Sequence, residues 1–120
     1  MQTHQTLALV ALLELVAGAA VAQAPAAPAG DAAHGKQIYI ADGCSRCHGT
    51  TGEGSDSTGP KIAPGVVPYG FFSNQLRNPR QRMPLYTAAV LPDQDVADIY
   101  AYVKTVPPTK KLSDVPILNR

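Results

Sequence analysis

The chain has 120 residues, a formal net charge of +1, two cysteines, three histidines and no tryptophan. That length bounds it to one small domain, and so small a net charge gives no electrostatic case for nucleic acid or for an anionic membrane surface.

Residues 7–22 form an apolar run that ends in Ala22-Gln23-Ala24, a small-x-small pattern. It predicts a signal peptide over 1–24, cleaved after Ala24, and hence export to the periplasm. No Lys or Arg precedes the run, and Glu14 lies inside it, where an acidic group costs about 2.5–3.5 kcal/mol on insertion scales. The alternative is an uncleaved anchor, but a spanning helix wants about 20 apolar residues, and this run is shorter and interrupted. Cleavage leaves no membrane span.

Residues 25–30, Pro-Ala-Ala-Pro-Ala-Gly, have the composition of a flexible lead-in. Asp31 caps a helix expected to run to about Asp42, with Ile38 and Tyr39 as apolar contacts and Gly43 as its stop. Gly35, four residues before Tyr39, lets another helix backbone approach that face closely, although a helical Gly costs about 1 kcal/mol against Ala.

Cys44-Ser45-Arg46-Cys47-His48 follows. Two thiols three residues apart, with an imidazole directly after the second, form the attachment pattern of a c-type haem. Positions three and four apart on a helical turn share a face, so Cys44 and Cys47 reach the two vinyl groups along one haem edge while His48 reaches the iron. Two rival chemistries fit less well. A structural zinc site needs four ligands, and beyond His48 only His4 and His34 are left. A thioredoxin-like pair starts a helix after a strand, and no alternating run precedes Cys44. With both cysteines bonded to haem, no disulfide staples the fold, and the haem supplies the centre of a core that a chain of this size builds only modestly.

Residues 49–70 are crowded with Gly, Pro, Ser, Thr and Asp and predict a long irregular loop, the kind that wraps a prosthetic group. Gly59-Pro60 within it is either an ordinary turn or the source of a carbonyl for the Nδ1 proton of His48, a bond that fixes the ring. Phe71 to Arg77 form two helical turns with Phe72 and Leu76 stacked, stopped before Pro79. Next comes Arg80-Gln81-Arg82-Met83-Pro84. Once the signal peptide is gone Met83 is the only methionine, and its soft thioether suits the second axial position of an electron carrier. The alternatives are a Met that fills a core gap, and His34 as the ligand. Pro92 to about Val106 reads as an amphipathic helix with Val96, Ile99, Tyr100, Val103 and Val106 on one stripe. Residues 108–120 form an extended surface tail, which leaves 31–107 as the domain.

The order Gly35-x-x-x-Tyr39, Cys44-x-x-Cys47-His48-Gly49, Gly59-Pro60, Arg77-x-Pro79, Met83-Pro84 and the Asp-Ile-Tyr-Ala-Tyr helix resembles the class I cytochromes c, especially small bacterial monohaem forms. The resemblance covers nearly all of residues 31–107. It implies an all-α fold, a small helical bundle wrapped around one covalently attached haem c, with His48 and Met83 as the axial ligands of the iron. By the same resemblance Pro60 supplies the carbonyl to His48, and Gly35 and Tyr39 meet Tyr100 where the first and last helices cross. Arg77 and Arg82 are expected either at the haem propionates or as solvated surface charges.

The expected function is single-electron shuttling by Fe(III)/Fe(II) cycling, without catalysis of its own. The partners would be redox proteins: a dehydrogenase, an oxidase or another cytochrome. The chain would act as a monomer or as the electron-accepting subunit of a dehydrogenase complex. The alternative is a haem-based sensor or small haem enzyme in which Met83 is displaced, but catalysis would want a distal acid or base. The lysine ring used by mitochondrial members for docking is missing, so contact would rest on a small apolar patch around an exposed haem edge.

Overall fold

The computed structural model describes residues 26–118; the expected signal peptide and its cleavage after Ala24 lie outside them. Four α-helices appear in chain order: α1 (Ala32–Ala41), α2 (Cys44–His48), α3 (Tyr69–Arg77) and α4 (Asp93–Thr105). Two single 3-10 turns, Leu112–Asp114 and Pro116–Leu118, follow in the tail. Among the described residues there is no strand, only an isolated bridge between Ser55 and Gly59 inside the long loop, so the architecture is all-α.

Helix α1 starts where the sequence provides a cap. The Asp31 carboxylate accepts the backbone N–H groups of Ala33 and His34 at 2.8 and 3.2 Å, satisfying two donors that a helix start otherwise leaves open. At the other end Gly43 adopts φ 78°, a left-handed conformation that costs glycine nothing, and the chain turns directly into α2. Helices α3 and α4 each begin immediately after a proline, Pro68 and Pro92. In α4, Asp93 and Asp95 occupy the first turn and Lys104 the last, the order the helix dipole favours.

The centre of the fold is α4. Seven of the eight positions from Val96 to Val103, all but Ala101, are buried, because α4 is covered by α1 on one side and by α3 on another. Against α1 the approach is backbone to backbone: a Cβ on Gly35 would run into the carbonyl of Asp98. Tyr39 then lies edge-on to Tyr102, with ring centroids 5.4 Å apart. Tyr100 does not take part in that pairing. It faces α3, where its ring meets Tyr69 and Phe72 at 5.2 and 5.3 Å and its hydroxyl donates to the Val67 carbonyl at 3.0 Å. The expectation that Tyr39 meets Tyr100 is therefore corrected. Two residues along a helix turn the side chain by about 200°, so positions 100 and 102 serve different neighbours.

The segment ahead of α1 is docked from Ala29 onward. The Gln94 amide donates to the Ala29 carbonyl at 3.0 Å, and Gly30 lies so near the Ala97 carbonyl that a Cβ there would collide with it. The remaining core, Leu76, Leu91 and Ala63, fills the space between α3, α4 and the long loop. Each fully buried Val, Leu or Ile is worth about 1.5–3 kcal/mol of stability.

Candidate functional site

Helix α2 is a single turn and a half made by the motif itself, Cys44 to His48. Cys44 is half-buried and Cys47 exposed. Burial is the main reason the Cys44 thiol titrates above its usual range, with the Asp42 carboxylate adding to it.

His48 is buried, and its Nδ1 lies 2.7 Å from the Pro60 carbonyl. A carbonyl only accepts, so Nδ1 carries a proton, and in the neutral ring the lone pair is then on Nε2. The loop that supplies this carbonyl is fitted closely to α2. The Thr58 hydroxyl donates to the Cys47 carbonyl at 2.8 Å, and the Gly54 N–H to the His48 carbonyl at 2.8 Å. A Cβ on Gly59 would come within 3.0 Å of the Cys47 carbonyl oxygen. Two tyrosine hydroxyls fasten the next two carbonyls, Tyr39 to Gly49 at 2.8 Å and Tyr102 to Thr50 at 2.6 Å. The orientation of His48 is thus set by α1, α4 and the loop together.

Met83 lies in the connection between α3 and α4, half-buried against the core. Three successive residues of the last turn of α3 hold this connection. Gln75 Nε2 donates to Met83 Sδ at 3.6 Å, the Leu76 carbonyl accepts the Tyr86 N–H at 3.1 Å, and Arg77 Nη1 donates to the Tyr86 carbonyl at 2.8 Å. The Tyr86 hydroxyl reaches across to the Asp42 carbonyl at 3.2 Å, next to the start of α2. Two residues before Met83, Gln81 adopts φ 60°, an uncommon conformation for a side-chain-bearing residue.

The site residues anticipated from sequence thus fall into two groups. His48, Pro60, Cys44 and Cys47 form the motif helix and its immediate packing, while Met83 lies in the α3–α4 connection against the core. Arg77 is engaged with the Tyr86 carbonyl and, through Nη2, with Asp93 at 2.6 Å; it ties the connection to the start of α4. Arg82 is exposed. Gln75, Tyr86 and Tyr102 were not singled out by sequence reasoning. A signal for Gln75 exists: it is three residues from Phe72 and so shares its inward face, where an amide without a partner would be costly.

His34 sits apart from this group. Its Nδ1 pairs with the buried Asp98 carboxylate at 2.7 Å. Asp98 also accepts the Asp31 N–H at 2.8 Å and the Gln94 amide at 2.9 Å. His34, Asp95 and Asp98 are close enough to share a cation, but Asp98 and His34 satisfy each other and clip α1 to α4.

A haem c takes two thiols on one helical face and an imidazole with Nε2 free, and a methionine sulfur is one of the groups that can take the other face of the iron. The chain presents each of these, together with half-buried apolar side chains such as Phe72, Ile62, Val66 and Tyr86. The donor set fits the group.

Residues 30–103 match the family described as cytochrome C oxidase, cbb3-type, subunit III. Over 97 residues, 78% of either chain, the sequence is 34% identical to cytochrome c-555 of Methylococcus capsulatus (strain Bath). No solved structure matches. Among the described residues no helix is long and apolar enough to cross a membrane.

Proposed function

This chain belongs to the cytochrome c family and is a haem electron-transfer protein carrying covalent haem c, and we propose that it works as an exported, periplasmic single-electron carrier. Bound haem supplies one-electron Fe(III)/Fe(II) chemistry. Cys44 and Cys47 attach the group by thioether bonds, so that a dilute soluble carrier does not lose it. His48 through Nε2 and Met83 through Sδ would hold the iron. With both positions held by protein, coordination changes little between oxidation states.

The observation that carries this reading is the His48 Nδ1 to Pro60 hydrogen bond at 2.7 Å inside a Cys-x-x-Cys-His turn. It fixes the tautomer required for ligation and leaves the imidazole unable to act as a proton shuttle through Nδ1. A catalytic role would want a second acid or base beside the iron, and His34 is committed to Asp98. Partners are redox proteins, a dehydrogenase, an oxidase or another cytochrome, and the chain acts as a free monomer or as an acceptor subunit.

Two variants test the site. Replacing both cysteines, Cys44→Ala with Cys47→Ala, should remove haem that survives denaturing electrophoresis. Met83→Ala should keep the haem attached but alter the visible spectrum and lower the potential. An unchanged spectrum and potential in Met83→Ala would remove Met83 as ligand.

A further inference from the structure

We propose that Gln75 is a positioning residue for the axial sulfur: its amide takes one lone pair of Met83 Sδ and thereby fixes which lone pair is left for the iron. The inference rests on the reading of Met83 as ligand.

A thioether accepts hydrogen bonds and cannot donate, so of the two ends of the Gln75 amide only the NH2 group suits it. The Nε2 to Sδ separation of 3.6 Å is a contact of that kind to the larger sulfur atom. Gln75 is half-buried on the inward side of α3 beside Leu76 and Phe72, where water competes poorly for its N–H. A thioether sulfur has two lone pairs. In a pocket that gave it no donor, either could turn to the metal by rotation about the side-chain torsions, and methionine has three of these.

With Gln75 present one arrangement is favoured. The same three-residue turn that holds the backbone of the connection, through the Leu76 carbonyl and the Arg77 guanidinium, also holds the side chain it delivers. Backbone and sulfur are therefore fixed from a single rigid element. Such partners of a ligand set its orientation and its strength as a donor. Losing the amide should loosen the sulfur without removing it.

The test compares Gln75→Leu and Gln75→Glu with the wild-type holoprotein. Leu fills the space without polarity; Glu keeps the length but at neutral pH has no N–H to give. Both variants should bind added imidazole in the oxidised state more tightly by about 2- to 10-fold, the equilibrium effect of one neutral hydrogen bond. Both should also show, by paramagnetic NMR of the haem methyl groups, exchange between two sulfur configurations where the wild type shows one. Wild-type imidazole affinity and a single pattern in both variants would overturn the inference, and so would an effect in Gln75→Leu that Gln75→Glu does not share, since that is packing and not donation. Should the leucine variant fail to fold, the glutamate variant decides alone. Met83→Ala separates this from the underlying reading. If the wild type shows sulfur-to-iron charge-transfer absorption that Met83→Ala abolishes, negative Gln75 results refute positioning alone. If Met83→Ala changes nothing, the ligand assignment falls and the role of Gln75 with it.

Discussion

The ring of Tyr39 on α1 meets that of Tyr102 on α4 edge-on at 5.4 Å, and their hydroxyls secure successive carbonyls of one loop, Gly49 and Thr50. The helix crossing is thereby coupled to the two residues that follow His48. Burial pushes both phenols above their usual titration range, so they remain neutral donors through the physiological range.

Tyr102→Phe keeps the ring and removes the hydrogen bond. It should lower stability by about 0.5–1.5 kcal/mol, the net worth of one hydrogen bond to a solvent-accessible acceptor. Tyr39→Phe should cost a similar amount. Denaturant unfolding of the holoprotein, monitored by far-ultraviolet circular dichroism, measures it. Wild-type midpoints in both variants would mean that water replaces the hydroxyls freely.

Gly35→Ala introduces a Cβ where the Asp98 carbonyl stands. The gain in helix propensity of about 1 kcal/mol is outweighed by the separation of α1 from α4, and overpacking of this kind costs about 1–3 kcal/mol or more. A net loss in thermal midpoint is expected. A variant as stable as the wild type would show that the two backbones are free to move apart.

Three elements of the fold lay in short-range pattern: the Asp31 cap, the Cys44 to His48 turn and the stripe of α4. Each is local, so spacing along the chain is enough to see it. What stayed hidden depends on which neighbour covers which face. Periodicity shows that Tyr100 and Tyr102 are on α4, but α4 is covered from two sides, and only the fold assigns Tyr102 to Tyr39 and Tyr100 to Phe72. Gln75 was hidden for the same reason, since its partner lies eight residues away in an irregular connection. The tail, read as extended, instead forms two 3-10 turns after Lys111.

The His34 and Asp98 pair makes stability pH-dependent in a defined window. The hydrogen bond to Asp98 is the main cause that raises His34 above its usual 6.5, with the Asp95 and Asp31 carboxylates adding to it. The hydrogen bond from His34 is the main cause that lowers Asp98 below its usual 3.8. A raised histidine contributes stability that is complete below 6.5 and lost as pH rises through its folded pKa. A lowered carboxylate contributes stability that is present above 3.8 and lost as pH falls through its folded pKa. The pair therefore helps most between these values. Melting curves from pH 4 to 9 should show His34→Ala closing on the wild type at the alkaline end and falling furthest below it near pH 5. A difference that does not vary with pH would assign the pair no ionic part.

The most direct measurement of the central claim is the visible spectrum of the reduced, exported protein before and after carbon monoxide. With His48 and Met83 holding both axial positions, the spectrum should be low-spin and indifferent to the gas. A shift on addition would mean that one position is open or weakly held, and would contradict a carrier whose coordination is complete.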